Sequence, residues 1–342
     1  IVTGANEFDI TGITDQDVTF RNDGNNVTNT AASFGIGLAD ASGMDDTASI
    51  TIEDRDDGNA LDVQDLETTN DIENLNIDLE RADDFTGTDI LISGTTFSVT
   101  PDTLTFSGEA DLEVSAALAA TTINASGVNS ADLTLGTADQ TITGSDGDDT
   151  FRFGTDADSN DTVNAGDGED TVEQTVASNG SGVSVNTSNV ETASVGITVD
   201  NTTTTDSGMG DGGTASYDAT NLSASTDLSL SVTSNDADGT GNDTNTVDVN
   251  NLSSGQTVNV SGSVTGNDTT VLDLALAGPS GSDDSLSIGL TADGSPLTVD
   301  QLASSTAVEN LSLSVGDNDD MASFASTVTD FDASGAESLS IS

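Results

Sequence analysis

The sequence has no lysine, no histidine, no cysteine and no tryptophan. Its only basic residues are Arg21, Arg55, Arg81 and Arg152, set against 61 aspartates and glutamates, for a formal charge of −57 over 342 residues. Each absence excludes something. Nucleic acid needs Lys and Arg on its phosphates, so it is not a partner. Unaided docking on anionic lipid fails for the same reason. Without histidine there is no Ser-His-Asp or Cys-His catalytic set, and no zinc site of the Cys/His kind. Without cysteine there is no disulfide framework. No apolar run reaches the 18 residues of a membrane-crossing helix, so no direct membrane insertion is expected. Ile1 in place of Met, the lack of a signal-peptide pattern and the closing half-strand ESLSIS read as a processed form or an internal piece of a longer chain.

Aromatic residues make up only 3% of the chain. Low aromatic content with high net charge is the composition of disordered segments. Against disorder stand a sustained short-period apolar pattern and the presence of only three prolines. ASITIED (48–54), NLNIDLE (74–80), TLTFSG (103–108), ADLEVSA (110–116), ADLTLG (131–136), DLSLSV (227–232), TVNVSG (257–262), SLSIGL (285–290) and NLSLSV (310–315) alternate apolar with small polar residues. Period two marks strands with one buried face. Gly, Asp and Asn clusters separate them, and helix formers are scarce. The expectation is an all-β protein, with short helices only near 297–305 and 321–331.

Two short motifs recur. INASGV (123–128), YDATNL (217–222), VDVNNL (247–252) and FDASGA (331–336) share one pattern; IENLNI (72–77), VETASV (190–195), VENLSL (308–313) and AESLSI (336–341) put an apolar residue and Glu ahead of a strand. Short strands at near-constant spacing favour identical rungs stacked into a solenoid, since no rung buries its apolar face alone. The competing architecture is a row of β-sandwich domains. The chain divides into an acidic β-rich region (1–100), a β-solenoid (101–198) and a second β-rich repeat region (199–342); the flanks read as solenoid or sandwich-like repeats.

Chemistry concentrates in TGSDGDDTFRFGTDADSNDTVNAGDGEDTV, residues 143–172. Phased on Ile142, Phe151, Val163 and Val172, the units are GTADQTI, GSDGDDTF, DADSNDTV and AGDGEDTV, the second and fourth being the best formed. Glycine lets the backbone turn with φ > 0 and aim carbonyls inward; the Asp two before Phe151, Val163 and Val172 supplies a carboxylate. Six to eight oxygens of that kind suit Ca²⁺ better than Mg²⁺. The alternative is a set of Asp-Gly turns with solvated carboxylates. Related fragments, GMDDTASI (43–50), GNDTNTV (241–247), GNDTTVL (266–272), GSDDSLSI (281–288) and GDNDDM (316–321), read as plain turns.

These units resemble the nonapeptide calcium repeat of RTX proteins. The resemblance implies a parallel β-roll in which alternate units stack. The Asp149 loop then lies over the Asp170 loop, with an insertion near Phe153–Thr155, and Asp161 lies on the opposite side over Asp139. It implies Asp149 and Asp170 as carboxylate ligands of several Ca²⁺ ions, with carbonyls from Gly144, Asp146, Gly166 and Gly168; Asp146, Asp148 and Asp167 are extra ligands or a solvated rim. More widely, residues 120–151 and the VENLSLSV and FDASG pieces resemble bacterial S-layer proteins. That likeness implies a secreted, extracellular cell-surface protein, not an enzyme, self-associating into a calcium-dependent lattice or filament, with cell-surface glycan or lipopolysaccharide as a further partner. The alternatives are a stalk segment of a giant RTX-type adhesin and, far less favoured, a β-helix enzyme acting on polysaccharide through an acid pair. The Asn-x-Ser/Thr sequons, Asn124 and Asn251 among them, leave glycosylation open.

Overall fold

The computed structural model describes residues 7–14, 18–22, 32–54, 61–68, 71–81, 90–92, 101–200, 212–235, 244–264, 269–278, 283–292, 298–304, 308–317, 327–332 and 338–342. Every regular element among them is a β-strand. The chain forms two compact units. The first holds residues 1–153, 160–171 and 188–190; the second holds 154–159, 172–187 and 191–342.

In the first unit successive strands alternate between two parallel sheets. Glu7–Ile13, Ala32–Leu38, Leu61–Thr68, Ile90–Ile92, Asp111–Leu118, Ser130–Leu135 and Thr150–Gly154 pair in that order in one sheet. Val18–Asn22, Thr47–Asp54, Asn74–Arg81, Thr103–Gly108, Thr122–Gly127, Thr141–Thr143 and Thr162–Asn164 pair in the other. One strand from each sheet, with its turns, makes a rung. Because side chains alternate along a strand, parallel in-register pairing stacks like on like. Leu75, Leu104, Ile123, Ile142 and Val163 form one such column. All five are buried, and each fully buried side chain of this size adds roughly 1.5–3 kcal/mol.

The second unit repeats the plan. Thr192–Asp200, Asp227–Asn235, Thr257–Val264, Ser285–Ala292, Asn310–Asp317 and Ser338–Ile341 pair in parallel. Ser181–Val183, Thr214–Asp218, Thr244–Leu252, Thr269–Leu276, Thr298–Ser304 and Thr327–Asp332 do the same. Ala193, Leu228, Val258, Ile288 and Leu313 are stacked in register and buried. Such parallel pairing is that of a β-solenoid, whereas a β-sandwich is built from antiparallel strands.

The two expected helices are not formed in the described parts of their segments. Thr298–Ser304 and Thr327–Asp332 are strands, parallel neighbours of each other. Register explains the difference. Leu302 pairs with Leu272 on one side and Phe331 on the other, so the strand ladder runs through this segment, and a helix would interrupt it. Residues 321–326 lie outside the described set.

Both repeated motifs acquire a physical role. In INASGV and YDATNL the second residue closes a local turn: Asn124 Oδ1 accepts from Ser126 N at 3.0 Å and Asp218 Oδ1 from Thr220 N at 3.0 Å. The apolar residues on either side, Ile123, Ala125 and Val128 or Tyr217, Ala219 and Leu222, are buried, so the motif is a rung corner. In the glutamate motif, Glu73 Oε2 accepts from Asp46 N at 2.8 Å and Glu309 Oε2 from Asp284 N at 3.1 Å, one rung back. The Glu73, Glu191 and Glu309 carbonyls accept from Thr103, Asp227 and Ser338, one rung on.

Candidate metal centre

The acidic stretch folds into rung corners stacked 18 to 21 residues apart. The turn at 144–149 lies against the turn at 165–170. Gly166 and Gly168 have φ of +117° and +130°, which L side chains rarely adopt. Space is as demanding as dihedral angle. A Cβ on Gly166 would collide with the Ser145 carbonyl oxygen, and one on Gly168 with the Gly147 carbonyl oxygen. At Gly144 it would strike the Ala165 carbonyl oxygen and the Asp149 carboxylate. Glycine is therefore required for the two turns to approach, and at each of the three the nearest atom across the contact is a carbonyl oxygen.

Asp149 and Asp170 sit where the phasing puts them, one above the other, at 1% and 0% exposure. Their carboxylates are clamps between rungs. Asp149 Oδ1 accepts from Ala131 N at 2.7 Å and from Ser145 Oγ at 2.7 Å, and Oδ2 accepts from Ser145 N at 2.6 Å. Asp170 Oδ1 accepts from Asp149 N at 2.8 Å. Burial pushes the Asp149 carboxyl above its usual range; the bonds from Ser145 and Ala131 oppose this, and the charge of Asp148 adds to it.

Asp161 occupies the opposite corner and is also buried. It does not lie over Asp139. Its Oδ1 accepts from Gln140 N at 2.9 Å, and Thr162 pairs with Thr141, which puts Asp161 in register with Gln140. Asp139 is one residue out of phase and points to solvent, as a one-residue slip on a strand must. Gln140 was detectable in the sequence, since it stands two before Ile142 as Asp149 stands two before Phe151. Its side chain is fully buried, with Nε2 donating to the Leu118 and Ala120 carbonyls at 2.9 and 2.8 Å. Its Oε1 is buried with no hydrogen-bond partner, an arrangement that costs about 1–3 kcal/mol when nothing else meets it. Ser145, Gly147 and Ala165, whose oxygens line the stacked turns, carry no sequence signal beyond their place in the repeat.

Asp146, Asp148 and Asp167 are exposed. Asp148 Oδ1 accepts from Glu169 N at 2.9 Å, a second link between the same two turns. Among the described residues no three acidic side chains converge as a metal-holding group. An ion at these corners therefore relies on main-chain and amide oxygens for most of its ligands. The acceptor capacity exists: a carboxylate offers about four acceptor positions, and Asp149 uses three. In GMDDTASI, by contrast, Asp46 folds onto its own turn, Oδ2 accepting from Gly43 N at 2.9 Å, as a plain turn does.

The second unit carries a polar groove of about 710 Å³, lined in part by Asp158, Ser181, Ser216, Asp218 and Asn250. No family model, curated protein or solved structure matches the chain.

Proposed function

We propose that the chain is a structural, non-catalytic protein of the cell surface, a solenoid stiffened by calcium and built to assemble with its own kind into a lattice or filament. The observation that carries this reading is the stacked pair of glycine turns at 144–149 and 165–170, with buried Asp149 and Asp170 and an oxygen-lined contact. Those two carboxylates and the carbonyl oxygens of Ser145, Gly147 and Ala165 would hold the ion, an all-oxygen set of the type Ca²⁺ takes. Bound calcium would offset charge where acids are densest, on a chain whose formal charge is −57. A site filled at 100 times its dissociation constant adds about 2.7 kcal/mol to stability. Extracellular calcium modules bind at ~10⁻⁴ to 10⁻³ M, a range met outside cells.

Two measurements test the proposal. Circular dichroism with and without excess EDTA reads calcium-dependent folding, and an unchanged spectrum and melting temperature would overturn the calcium part. Electron microscopy with millimolar calcium reads assembly, and discrete monomers at every calcium concentration would overturn the lattice or filament part. The polar groove in the second unit offers hydroxyl, amide and carboxylate groups of the kind that bind neutral glycans, the further partner expected of such a surface protein.

A further inference from the structure

Gln140 breaks the pattern of the corners. Three positions of its type hold carboxylates that clamp a main-chain N–H of the preceding rung: Asp149, Asp161 and Asp170. Gln140 instead gives both amide hydrogens to carbonyls of the preceding rung. Its nitrogen and oxygen diverge from one carbon, so with the nitrogen on the Leu118 and Ala120 carbonyls the oxygen is turned away from them. From the following rung Asp161 reaches Gln140 N with Oδ1. Reversing the amide does not help, because it would set the oxygen against two carbonyl oxygens. Other buried amides contrast with this one. Gln256 Nε2 donates to Thr226 O while its Oε1 accepts from Ser253 N; Gln174 Nε2 donates to Val183 O while its Oε1 accepts from Tyr217 Oη. Gln140 Oε1 alone of the three is buried and unmet.

We infer that a monovalent cation, sodium or potassium, is bound between Gln140 Oε1 and the Asp161 carboxylate. Gln140 Oε1 is buried and unmet, and the buried Asp161 carboxylate bonds the main-chain N–H of the same residue; a cation held by both oxygens would meet the unmet acceptor. The described arginines are placed elsewhere: Arg21 on Glu53, Arg152 on Asp132, and Arg81 in register with Asp54. Charge selects the ion. This corner brings one carboxylate and a neutral amide, whereas the Asp149–Asp170 corner brings two carboxylates, so a single positive charge balances here and a double one balances there. The site stands whether or not calcium binds at Asp149 and Asp170.

The test compares thermal unfolding of the full chain in sodium, potassium and choline chloride at equal ionic strength and saturating calcium, with ²³Na relaxation as a direct probe. The wild type is expected to melt several degrees higher in sodium or potassium than in choline and to broaden the ²³Na line. Gln140→Leu is expected to lose both effects while keeping its β-type circular dichroism. Gln140→Asp is expected to trade them for one additional calcium in a calorimetric titration, which keeps the test informative if the leucine variant folds poorly. Equal melting in all three salts, or a sodium effect that survives unchanged in Gln140→Leu, would overturn the inference and leave a buried water as the partner of Oε1. A failed calcium titration with the sodium effect intact would overturn only the calcium reading.

Discussion

The two units share one plan of stacked parallel rungs but tie the rungs together with different chemistry. In the first, three buried clamps beside the neutral Gln140 are charged: Asp149, Asp161 and Asp170 accept main-chain N–H groups from neighbouring rungs. In the second, the buried clamps are neutral. Gln256 bridges Thr226 and Ser253, and Asn245 Oδ1 accepts from Gly213 N while its Nδ2 donates to Ser234 Oγ. Basic residues divide the same way. All four arginines fall in the first unit, two on carboxylates of the adjacent strand, and the second unit has none. A buried carboxylate accepts more hydrogen bonds than an amide but brings a charge that must be offset. In the first unit Arg21 and Arg152 offset carboxylates of the adjacent strand. In the second, Asp248 and Asp273 lie on the sheet face. There they sit directly opposite each other on neighbouring strands, an arrangement that like charges disfavour.

The comparison is broken most forcefully at the glycine turns. Gly166→Ala is expected to cost about 3–4 kcal/mol, from the φ of +117° and the collision with Ser145 O. Hydrogen exchange read by mass spectrometry over residues 101–171 and 214–313 should show the loss confined to the first region. Equal loss in both would mean that the units do not open separately. Asp170→Ala is expected to cost about 1–3 kcal/mol in the first unit, since it leaves the buried Asp149 N–H without its acceptor. The same substitution should flatten the calcium dependence of melting, and wild-type calcium dependence in this variant would separate the clamp from the ion.

Smaller effects sharpen the contrast in the second unit. Asp248→Asn is expected to stabilise it by up to about 0.5 kcal/mol, a half-exposed pair being screened by solvent. Burial first, and Asp273 second, raise the Asp248 carboxyl above 3.8 in the folded state. The folded chain therefore binds this proton more tightly than the unfolded chain. The penalty on the charged form is present above the raised value and is relieved as pH falls through it toward 3.8. Melting temperature of the second unit should rise slightly on acidification through that window in the wild type and by less in Asp248→Asn; an equal rise in both would show that other acids set the slope. Arg152→Gln is likewise expected to change stability little, by no more than about 0.2–1 kcal/mol, because its contact with Asp132 is partly exposed. An effect of several kcal/mol, measured by denaturant unfolding, would show that the arginine does more than balance surface charge.

Much of this design is written in the sequence because the rungs repeat. Period-two stretches such as NLNIDLE and SLSIGL became strands with Leu75, Ile77 and Leu79 or Leu286, Ile288 and Leu290 inward. The Asp–apolar phase located Asp149 over Asp170 across an insertion. The second strand pair near the C-terminal end escaped notice because local composition there is ambiguous, and only pairing with Leu272 decides it. Gln140 escaped for a chemical reason: the reading followed carboxylates, and an amide in the same phase does not look like a ligand. The burial of Asp149, Asp161 and Asp170 was hidden too. Charge along a sequence suggests solvent, and only the stacked N–H groups show why these three face inward.

Five of the carboxylate clamps on main-chain N–H groups share one further property, which is direction; the link from Glu169 N to Asp148 runs the other way. Glu73 completes Asp46, Asp149 completes Ala131, Asp161 completes Gln140, Asp170 completes Asp149 and Glu309 completes Asp284. In each case a later residue finishes an earlier turn of the coil. At these five places a chain emerging amino end first carries an unfinished coil at its growing end, sealed only when the next has followed. Order of synthesis becomes order of locking, and unwinding begins most readily from the last coil formed.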